Sequence, residues 1–352
     1  MMRKRTTNHG KNCFLVTFRF ILALMFALSM YTMIGHVISG KAYQKLYDPG
    51  SDGIISTGLL LETSESSNQD STELATKESL GFFTDIPDTA WNRHKRRFQL
   101  TQPNYINNDQ KLLERYGRYS NYFWANNFEP EFTCPHEFRF GKLGDGGKWV
   151  CDAHRIIDDD AGGNYENGEG SCLVYSIGSN GNFDFEKHVR EHISPNCEIH
   201  TFDSNKTGRK KDFLEESKKV PGVTFHHIGL GPPSKKEQHF KRFRDIIKYL
   251  KHEKKIIDVM KIDCERCEYA QFRQWLEDWK ETGVFVRQLM LEVHNSDMPH
   301  VVDLFNEFQK DGFVLFHKEA NYLNGANAVE VAWIQLSKDF QSQSSVAVET
   351  SN

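Results

Sequence analysis

The sequence of 352 residues predicts an α/β fold with a mostly parallel, seven-stranded sheet that carries helices on both faces. The first observation is that short apolar runs alternate with longer segments of helical periodicity between about residues 131 and 340. The second is that the last two apolar runs follow one another without a helix, which indicates an antiparallel hairpin at the end of the sheet. A content of 38% hydrophobic and 12% aromatic residues is sufficient for a globular core.

The predicted elements alternate regularly along the chain. Five strands precede the hairpin, with the sequences SCLVYSIG, CEIHTFDS, VTFHHIGLG, IIDVMKID and VFVRQLMLEVH. The hairpin strands are FVLFHKEANY and VEVAWIQLS, and helices are predicted at FDFEKHVREHI, DIIKYLKH, EYAQFRQWLEDWKET and HVVDLFNEFQKDG. Ligands of such sheets bind at the carboxyl ends of the strands, near the point where the strand order reverses, so functional residues are expected there.

An apolar segment, FLVTFRFILALMFALSMYTMIGHVI, occupies residues 14–38 and is long enough to cross a bilayer. Four basic residues precede it, and the positive-inside rule therefore predicts a cytosolic N-terminus of residues 1–13. We expect a single-pass type II membrane protein, whose signal anchor leaves the rest of the chain in the lumen of the Golgi or endoplasmic reticulum. A cleaved signal peptide, which would give a secreted protein, is the alternative.

The composition divides the chain after the anchor into four parts. Residues 39–85 are rich in Ser, Glu and Thr and poor in aromatic residues, so we expect a flexible stem. Residues 86–130 are predicted to form a helical N-terminal extension, and residues 131–340 form the α/β domain. Residues 341–352 again have the composition of a disordered tail.

The predicted luminal location makes disulfides possible. Six of the seven cysteines would lie in an oxidising compartment, and six cysteines permit about 15 complete pairings. Cys134 and Cys151 bracket the segment FGKLGDGGKWV and could close it, with DGG as a tight turn over the ligand cleft. Cys264 and Cys267 are interpreted as packing residues, or as disulfide partners of cysteines elsewhere in the domain. A sequon at Asn205 predicts a glycoprotein.

Polar residues follow the ends of the first two predicted strands. Gly178 and Gly181, in SIGSNGN, allow the backbone to turn sharply and approach a ligand closely. The complete G-x-G-x-x-G fingerprint is absent, so a dinucleotide fits poorly. Asp203 follows the second strand at the position where an acid binds ribose hydroxyls in nucleotide-binding sheets.

Charged residues also interrupt the fourth and fifth strands, which otherwise have the composition of buried strands. Lys261, Asp263 and Glu265 end the fourth strand, and Glu292 and His294 end the fifth. Burying such groups without partners costs several kcal/mol, so they must pair with one another or face a ligand. We interpret them as a functional site.

These motifs together resemble those of S-adenosylmethionine-dependent methyltransferases. MKIDCERCE and LEVH resemble two blocks of the FkbM-type O-methyltransferases. FGKLGDGGKWVCD, VYSIGSNGNFDFE and HKEANY with EVAWI resemble the membrane-anchored animal methyltransferase-like proteins of the kind numbered twenty-four. The resemblance covers roughly residues 130–337 and implies a Rossmann-like methyltransferase sheet with S-adenosyl-L-methionine as the cofactor.

The resemblance also implies roles for individual residues. Gly178, Ser179 and Gly181 would wrap the methionine part of the cofactor, Asp203 would hold the ribose, and Asp263 would lie below the methyl donor. The chain departs from the usual pattern in two places, where Ser176 replaces an acid and ERCE lacks the glycine of the FkbM block. The contact to the amino group of the cofactor would then come from another acid, and the candidates are Glu186 and Asp145, which precedes Gly146 in the DGG turn.

Methyl transfer to a hydroxyl group is the predicted reaction. His294, Asp263 or Glu265 would accept the hydroxyl proton, and Lys261 would hold an oxyanion or pair with Asp263. No metal is obligatory, because the sulfonium of the cofactor carries the electrophilic methyl group. The acceptor stays open among glycans, lipids, proteins and small molecules, and a net charge of −4 gives no reason to expect nucleic acid.

Three other functions compete with methyl transfer. A luminal glycosyltransferase would use Asp158 and Asp160 as a D-x-D metal site. A binding protein with a degenerate cofactor site is the second, because of Ser176. A C-x-x-C oxidoreductase is the third, and the carboxylates around Cys264 and Cys267 disfavour the reactive thiolate that it would need.

Overall fold

The computed structural model of this chain describes residues 79–100, 124–125, 127–157, 172–204, 212–233, 239–294, 298–321, 328–336 and 338–341. The chain divides into two compact units, Met1–Ser66 and Ser67–Asn352, and all described residues belong to the second. Several predicted features lie outside the described residues: the transmembrane segment 14–38, the D-x-D pair, the sequon, and residues 342–352 of the predicted tail 341–352.

Eleven strands are described within these ranges. In chain order they are β1 (Glu137–Phe140), β2 (Lys148–Cys151), β3 (Leu173–Ile177), β4 (Glu198–Phe202), β5 (Val223–His226), β6 (Gly229–Leu230), β7 (Phe240–Lys241), β8 (Ile256–Ile262), β9 (Phe285–His294), β10 (Phe313–Ala320) and β11 (Ala328–Gln335).

The α-helices of the described residues lie between these strands and at the ends of the domain. They are α1 (Asp88–Leu100), α2 (Asp184–His192), α3 (Phe213–Ser217), α4 (Phe243–Leu250), α5 (Cys267–Thr282), α6 (Met298–Lys310) and α7 (Lys338–Gln341). None of the described helices is both long and apolar enough to cross a membrane.

Seven strands form one mixed sheet in the order β10–β11–β9–β8–β3–β4–β5. Strands β3, β4, β5, β8 and β9 are parallel, and β11 lies antiparallel between β9 and β10. The chain moves outward from β3 through β4 to β5 and then returns to β8 on the other side of β3. The strand order therefore reverses between β3 and β8, where a ligand cleft is expected. This confirms the predicted Rossmann-like seven-stranded sheet and its C-terminal antiparallel hairpin.

Both faces of the sheet are covered because side chains alternate along each buried strand. In β3, Leu173, Tyr175 and Ile177 belong to one hydrophobic cluster, whereas Val174 belongs to the other. Helices α4, α5 and α6 supply aromatic and aliphatic residues to the first cluster. Helices α1, α2 and α7 cover the opposite face. In the described part of the domain, this packing covers both faces of the sheet and leaves the strand ends open for a site.

Residues 79–85 were predicted to belong to the flexible stem, and this boundary is wrong. Phe82 and Phe83 are both fully buried, and the Phe83 ring packs against Trp91 of α1 and against Phe132. Two adjacent aromatic side chains bury enough apolar surface to fix this turn against the domain, although the residues before them are polar. Helix α1 lies within the predicted helical extension, whose residues 101–123 are outside the described part.

The third predicted strand, VTFHHIGLG, is also shorter than expected. Only Val223–His226 joins the sheet as β5, because the chain then turns, with the backbone N–H of Ile228 donating to the carbonyl of His226 at 2.8 Å. Of the remaining residues, Gly229 and Leu230 form β6, which pairs with β7. This second small ladder places Gly229 and Leu230 beside the open strand ends.

The six cysteines of the described residues form three disulfides, Cys134–Cys151, Cys172–Cys197 and Cys264–Cys267. The first closes the β1–β2 hairpin, as predicted. The third corrects the prediction, since Cys264 and Cys267 pair with each other and not with cysteines elsewhere. They can do so because the chain between them turns through Glu265 and Arg266, which both have positive φ angles, 55° and 75°.

Candidate active site

The turn after β3 requires glycine at position 178. Gly178 has a φ of +78°, and a Cβ atom there would lie 1.7 Å from the carbonyl oxygen of Asp263. The ends of β3 and β8 therefore approach each other more closely than any side chain allows. The backbone N–H of Asp263 donates to the carbonyl of Ile177 at 2.9 Å, which extends the pairing of the two strands into the site.

Lys261 supports this turn from the adjacent strand. Its side chain is buried, and Nζ donates to the carbonyl oxygen of Gly178 at 2.6 Å. The sequence predicted that Lys261 would hold an oxyanion or pair with Asp263. The structure gives it a different hydrogen-bond partner, the backbone of the glycine turn, although its charge also stabilises the ionised form of Asp263.

Asp203 lies at the end of β4, next to the same turn. Its Oδ2 atom accepts a hydrogen bond from the backbone N–H of Asn180 at 2.7 Å and faces Ser179 Oγ at 3.4 Å. The N–H of Gly181 donates in turn to Ser179 Oγ at 3.2 Å. Asp203, which was predicted to bind the ribose, is thus held in place by the turn at residues 178–181, which was predicted to wrap the methionine part of the cofactor.

These elements enclose a cavity of about 1060 Å³. Its apolar wall comes from the ends of β3 and β4 and from β6 and β7, with side chains of Ile177, Phe202, Ile228, Leu230 and Phe240. Most of the predicted site residues also line it, namely Asp145, Gly146, Gly178, Ser179, Asp203, Lys261, Asp263 and Glu265. Cavities for drug-sized ligands reach about 1,000 Å³, so this one has room for a nucleoside cofactor and part of an acceptor.

A buried cluster of charges closes one side of the cavity. Lys148 Nζ lies 2.6 Å from Glu330 Oε2 and 3.7 Å from Asp263 Oδ2. Lys148 is only 1% exposed and Glu330 only 2%. Burial alone would lower the pKa of Lys148, but the negative charges of Glu330 and Asp263 raise that pKa above its ordinary value. Lys148 therefore stays charged and holds the carboxylates together.

Two carboxyl groups of this cluster titrate in opposite directions. Burial, together with the charge of Asp263, raises the pKa of Glu292 to about 10. Burial also acts to raise the pKa of Asp263, but Lys148 and Lys261 outweigh it and lower that pKa. At neutral pH Glu292 is consequently a neutral acid beside an ionised Asp263, and both line the cavity.

Asn321 connects this pair to the loop between β1 and β2. Its Nδ2 atom donates to Glu292 Oε1 at 3.0 Å and to Asp145 Oδ1 at 3.2 Å. Asp145 is therefore fixed relative to the charged cluster, although its loop joins the strands of a separate two-stranded sheet. The predicted role of the DGG turn as a cover of the cleft agrees with its place in the cavity wall.

His294 lies beside the cavity but does not line it. Its Nδ1 atom is 3.0 Å from Oε1 of the fully buried Glu268, which also accepts the His294 backbone N–H at 2.9 Å. Its Nε2 atom lies 3.5 Å from Glu265 Oε2. Burial favours the neutral ring, but the hydrogen bond and charge of Glu268 outweigh it and raise the pKa of His294.

The structure separates three other predicted residues from the cavity surface. Gly181 is buried within the turn, where it shapes the backbone. Ser176 is buried in mid-sheet, and its Oγ has no hydrogen-bond partner among the described residues. Glu186 is 1% exposed and accepts from Thr201 Oγ1 at 3.1 Å, so it is directed into the core and is wrong as a cofactor ligand.

Sequence reasoning missed part of the site. Lys148 and Glu330 were not selected, and Glu292 was noticed as a charged strand residue without an assigned role. The available signal was a carboxylate within the apolar runs LMLEVH and AVEVAWI. Lys148 carried no such signal, since a lysine after a DGG turn is typical of an exposed hairpin.

The family comparison gives a direct result. A family model described as a methyltransferase domain matches residues 73–335. The chain belongs to this methyltransferase family. Membership implies S-adenosyl-L-methionine as the cofactor, which confirms the predicted one. It gives no support to the glycosyltransferase alternative, whose acidic pair lies outside the described residues.

Solved structures with regions similar to this chain include two fibrillarins and a TrmK protein. Methanococcus jannaschii fibrillarin pre-rRNA processing protein is 12% identical, with 48% of this chain and 68% of that one covered and a TM-score of 0.33. Aeropyrum pernix fibrillarin with natively bound S-adenosyl-L-methionine is 11% identical (57% and 84% covered, TM-score 0.33). M. capricolum TrmK with S-adenosyl-homocysteine is 11% identical (52% and 66% covered, TM-score 0.31). A search of curated protein sequences found no match.

The cavity fits the cofactor in its chemistry. The turn at Gly178 brings backbone to the cavity surface, Asp203 offers a carboxylate for a diol, and Phe202 and Phe240 offer apolar surface for a base. The acidic residues along the wall suit a ligand that carries an ammonium and a sulfonium group. The residues present therefore match the cofactor that the family implies.

Proposed function

We propose that this chain is an S-adenosylmethionine-dependent O-methyltransferase. The observation that carries the proposal is that the Gly178 turn, Asp203 and the carboxyl pair Asp263 and Glu292 all line one cavity. Family membership supplies methyl transfer. The acidic pair supports an oxygen acceptor, because a hydroxyl group must lose its proton as it receives the methyl group.

Gly178, Ser179 and Asp203 would hold the cofactor at the carboxyl ends of β3 and β4. Asp145 would bind its amino group, since Glu186 is buried and Ser176 has no carboxylate. When bound, the cofactor supplies an electrophilic methyl group on its sulfonium. The protein then contributes alignment of the acceptor with that group, which can lower the barrier by several kcal/mol.

Asp263 is the residue we assign as proton acceptor. It is ionised, lies at the cavity wall and is held by Lys148 and Lys261. Glu292, neutral beside it, would donate a hydrogen bond to Asp263 and keep it in place. His294 acts as a positioning residue, because Glu268 holds its ring with Nε2 facing Glu265, 3.5 Å away at the cavity wall.

We also propose that the domain faces the lumen of the secretory pathway behind an N-terminal anchor. Three disulfides support this location, because such bonds persist in oxidising compartments. The apolar segment 14–38 and the resemblance to membrane-anchored methyltransferase-like proteins support the anchor.

Calorimetry with S-adenosyl-L-methionine and S-adenosyl-homocysteine on the full chain tests the cofactor site. We expect one molecule bound per chain and about a 10-fold weaker affinity for Asp203→Asn, which loses a charged acceptor. Asp245→Asn, an exposed change on α4, serves as the matched control and should bind normally. A folded chain that binds neither compound would overturn the proposal.

Transfer of a labelled methyl group to a panel of glycan, lipid, peptide and small-molecule hydroxyls tests the reaction. We expect Asp263→Asn to retain cofactor binding and to lose at least about 100-fold in rate, the contribution of a proton acceptor. Cofactor binding without transfer to any hydroxyl would instead support the alternative of a non-catalytic binding protein. The observation that favours this alternative is Ser176, which stands where many methyltransferases have an acid.

A further inference from the structure

A second polar cluster lies at the edge of the sheet opposite to the cavity. Glu198 and His200 stand in the first half of β4, and His252 stands just before β8 begins. The amino ends of parallel strands meet at this edge, away from the carboxyl ends that form the cavity. We propose that Glu198, His200 and His252 bind a divalent transition metal ion, with zinc as the preferred ion.

The three side chains already converge on one point. Glu198 Oε1 lies 2.8 Å from His200 Nε2 and 3.1 Å from His252 Nε2. All three ligand atoms lie within 4.8 Å of one another. Around a tetrahedral zinc ion with bonds of about 2.0–2.1 Å, such atoms stand about 3.3 Å apart. The two distances from Glu198 are thus within about 0.5 Å of those around a zinc ion.

The remaining ring nitrogens are engaged in the manner of metal-bound histidines. His200 Nδ1 lies 2.9 Å from His226 Nε2, and His252 Nδ1 lies 2.8 Å from the hydroxyl oxygen of Tyr175. Metal-binding histidines almost always donate the other ring N–H to an acceptor, usually a carboxylate, a backbone carbonyl or water, which fixes the ring orientation. Here the acceptors would be His226 Nε2 and the Tyr175 hydroxyl oxygen. Both histidines would present Nε2 to the ion and donate from Nδ1.

Rigid elements hold the ligands in position. The disulfide Cys172–Cys197 joins the starts of β3 and β4, and the backbone N–H of Glu198 donates to the carbonyl of Cys172 at 2.7 Å. The backbone N–H of His252 donates to the carbonyl of Ile247 at 2.9 Å, at the end of α4. The cluster is thus prearranged by strand ends and a helix end.

Burial leaves one route for an ion to enter. His200 and His252 are 6% and 3% exposed, whereas the side chain of Glu198 is 49% exposed. The exposed side of Glu198 also leaves a fourth coordination position to water. Lys255 is the nearby charge that disfavours the ion.

The competing explanation is a hydrogen-bond network without metal. In that network both Nε2–H groups donate to Glu198, while Tyr175 and His226 donate to the two Nδ1 atoms. Every distance above also permits this arrangement. The two explanations differ in one respect, since only the first predicts stoichiometric metal uptake that requires Glu198 and both histidines.

The test is a calorimetric titration with Zn²⁺ alone of the full, chelator-treated chain, without thiol reductants so that the disulfides stay intact. We expect one equivalent bound, at least about 100-fold weaker binding for Glu198→Gln and His252→Gln, and about 10-fold weaker binding for Tyr175→Phe. Glu198→Gln changes a half-exposed side chain and keeps an acceptor oxygen, so it is the variant expected to fold normally.

The double variant His188→Gln/His192→Gln is the matched control. These two residues and Glu191 form a second group on the partly exposed face of α2 that could collect zinc without a prearranged site. The control should leave the titration unchanged, and Co²⁺ should give a four-coordinate visible spectrum that Glu198→Gln abolishes. No zinc uptake, or uptake lost in the α2 variant but kept in Glu198→Gln, would overturn the proposal. Neither readout depends on cofactor binding or on methyl transfer.

Discussion

At the scale of single residues, the site depends on contacts between side chains and backbone that local sequence does not display. Gly178 is required because a Cβ atom at this position would collide with the carbonyl oxygen of Asp263. Lys261 donates a hydrogen bond to the carbonyl of the same glycine. Glu292 and Asp263 divide one proton between two carboxyl groups, since burial penalises a second negative charge. Each of these contacts leads to a separate measurement.

Lys261→Met should weaken cofactor binding by about 10- to 100-fold, the equivalent of one charge-assisted hydrogen bond. The physical reason is that the carbonyl of Gly178 loses its donor and the turn loosens. Calorimetry with S-adenosyl-homocysteine measures the effect. Lys310→Met, an exposed change at the end of α6, is the control, and equal affinities for the two variants would contradict the assigned role of Lys261.

Glu292→Gln should stabilise the protein at alkaline pH. The pKa of Glu292 is raised to about 10 in the folded state, whereas in the unfolded chain the group has its ordinary value of 4.5. The folded state therefore binds more protons between these values, and its free energy of unfolding falls as pH rises through this window.

Glutamine mimics the protonated acid and removes that dependence. Urea unfolding at pH 6 and pH 9 should show a smaller loss of stability for Glu292→Gln than for the unmodified chain, by about 1 kcal/mol or more. Glu277→Gln, an exposed change on α5, should leave the loss unaltered. If Glu292→Gln behaved like Glu277→Gln, the neutral state of Glu292 would be refuted.

At the scale of elements, the small β1–β2 hairpin and the C-terminal hairpin complete a site that the parallel strands begin. The β1–β2 hairpin supplies Lys148 and Asp145, and β11 supplies Glu330. A disulfide closes the first hairpin, and another closes the turn between β8 and α5. The positive charge of Lys148 on β2 is thus balanced by Glu330 on β11 and by Asp263 at the end of β8.

Lys148→Met should destabilise the protein by about 3–5 kcal/mol, because it leaves buried carboxylates without a counterion. The double variant Lys148→Met/Glu330→Met removes the partner as well and should recover most of this loss. Chemical unfolding of both variants measures the coupling between β2 and β11. A double variant no more stable than the single one would show that Glu330 is not the partner that matters.

Cys264→Ser/Cys267→Ser should weaken cofactor binding several-fold while the domain stays folded. The disulfide holds Glu265 and Arg266 in left-handed backbone conformations at the cavity wall, and such conformations cost free energy when they are not enforced. Calorimetry compares this variant with Cys172→Ser/Cys197→Ser, which lies at the opposite edge. The second variant should lower the unfolding temperature and keep the cofactor affinity.

At the scale of the whole molecule, the sheet separates two sites by its polarity. Carboxyl strand ends form the cavity and amino strand ends form the Glu198 cluster, with the hydrophobic layers between them. The predicted anchor and stem precede this domain in the chain. This order predicts that the domain lies on the luminal side of the membrane.

Microsomes that synthesise the full chain should protect residues after the anchor from added protease until detergent is present. The reason is the charge difference across residues 14–38, from which the positive-inside rule predicts a cytosolic N-terminus. A version without residues 1–38, made in the same extract, serves as the unprotected control. Complete digestion of the full chain without detergent would exclude the luminal orientation.

Hydrophobic alternation in the sequence determined the sheet, its helices and the edge where ligands bind. The predicted strand ends in turn identified Gly178, Asp203 and Asp263 as candidate site residues, because glycines and acids directly after a strand can be recognised from the sequence. The hydrophobic periodicity of a strand or helix indicates which side chains are buried, but it does not identify the residues against which they pack. For that reason the predictions for the end of the third strand and for the boundary of the stem were wrong.

Only the tertiary structure decided which charged residues meet. Lys148 and Glu330 are 182 positions apart in the sequence, and no local pattern in either segment indicates the other. The same holds for the Cys172–Cys197 disulfide and for the approach of His252 to Glu198 and His200. Strand order and packing bring such residues together, and long-range proximity is the quantity that a single sequence does not encode locally.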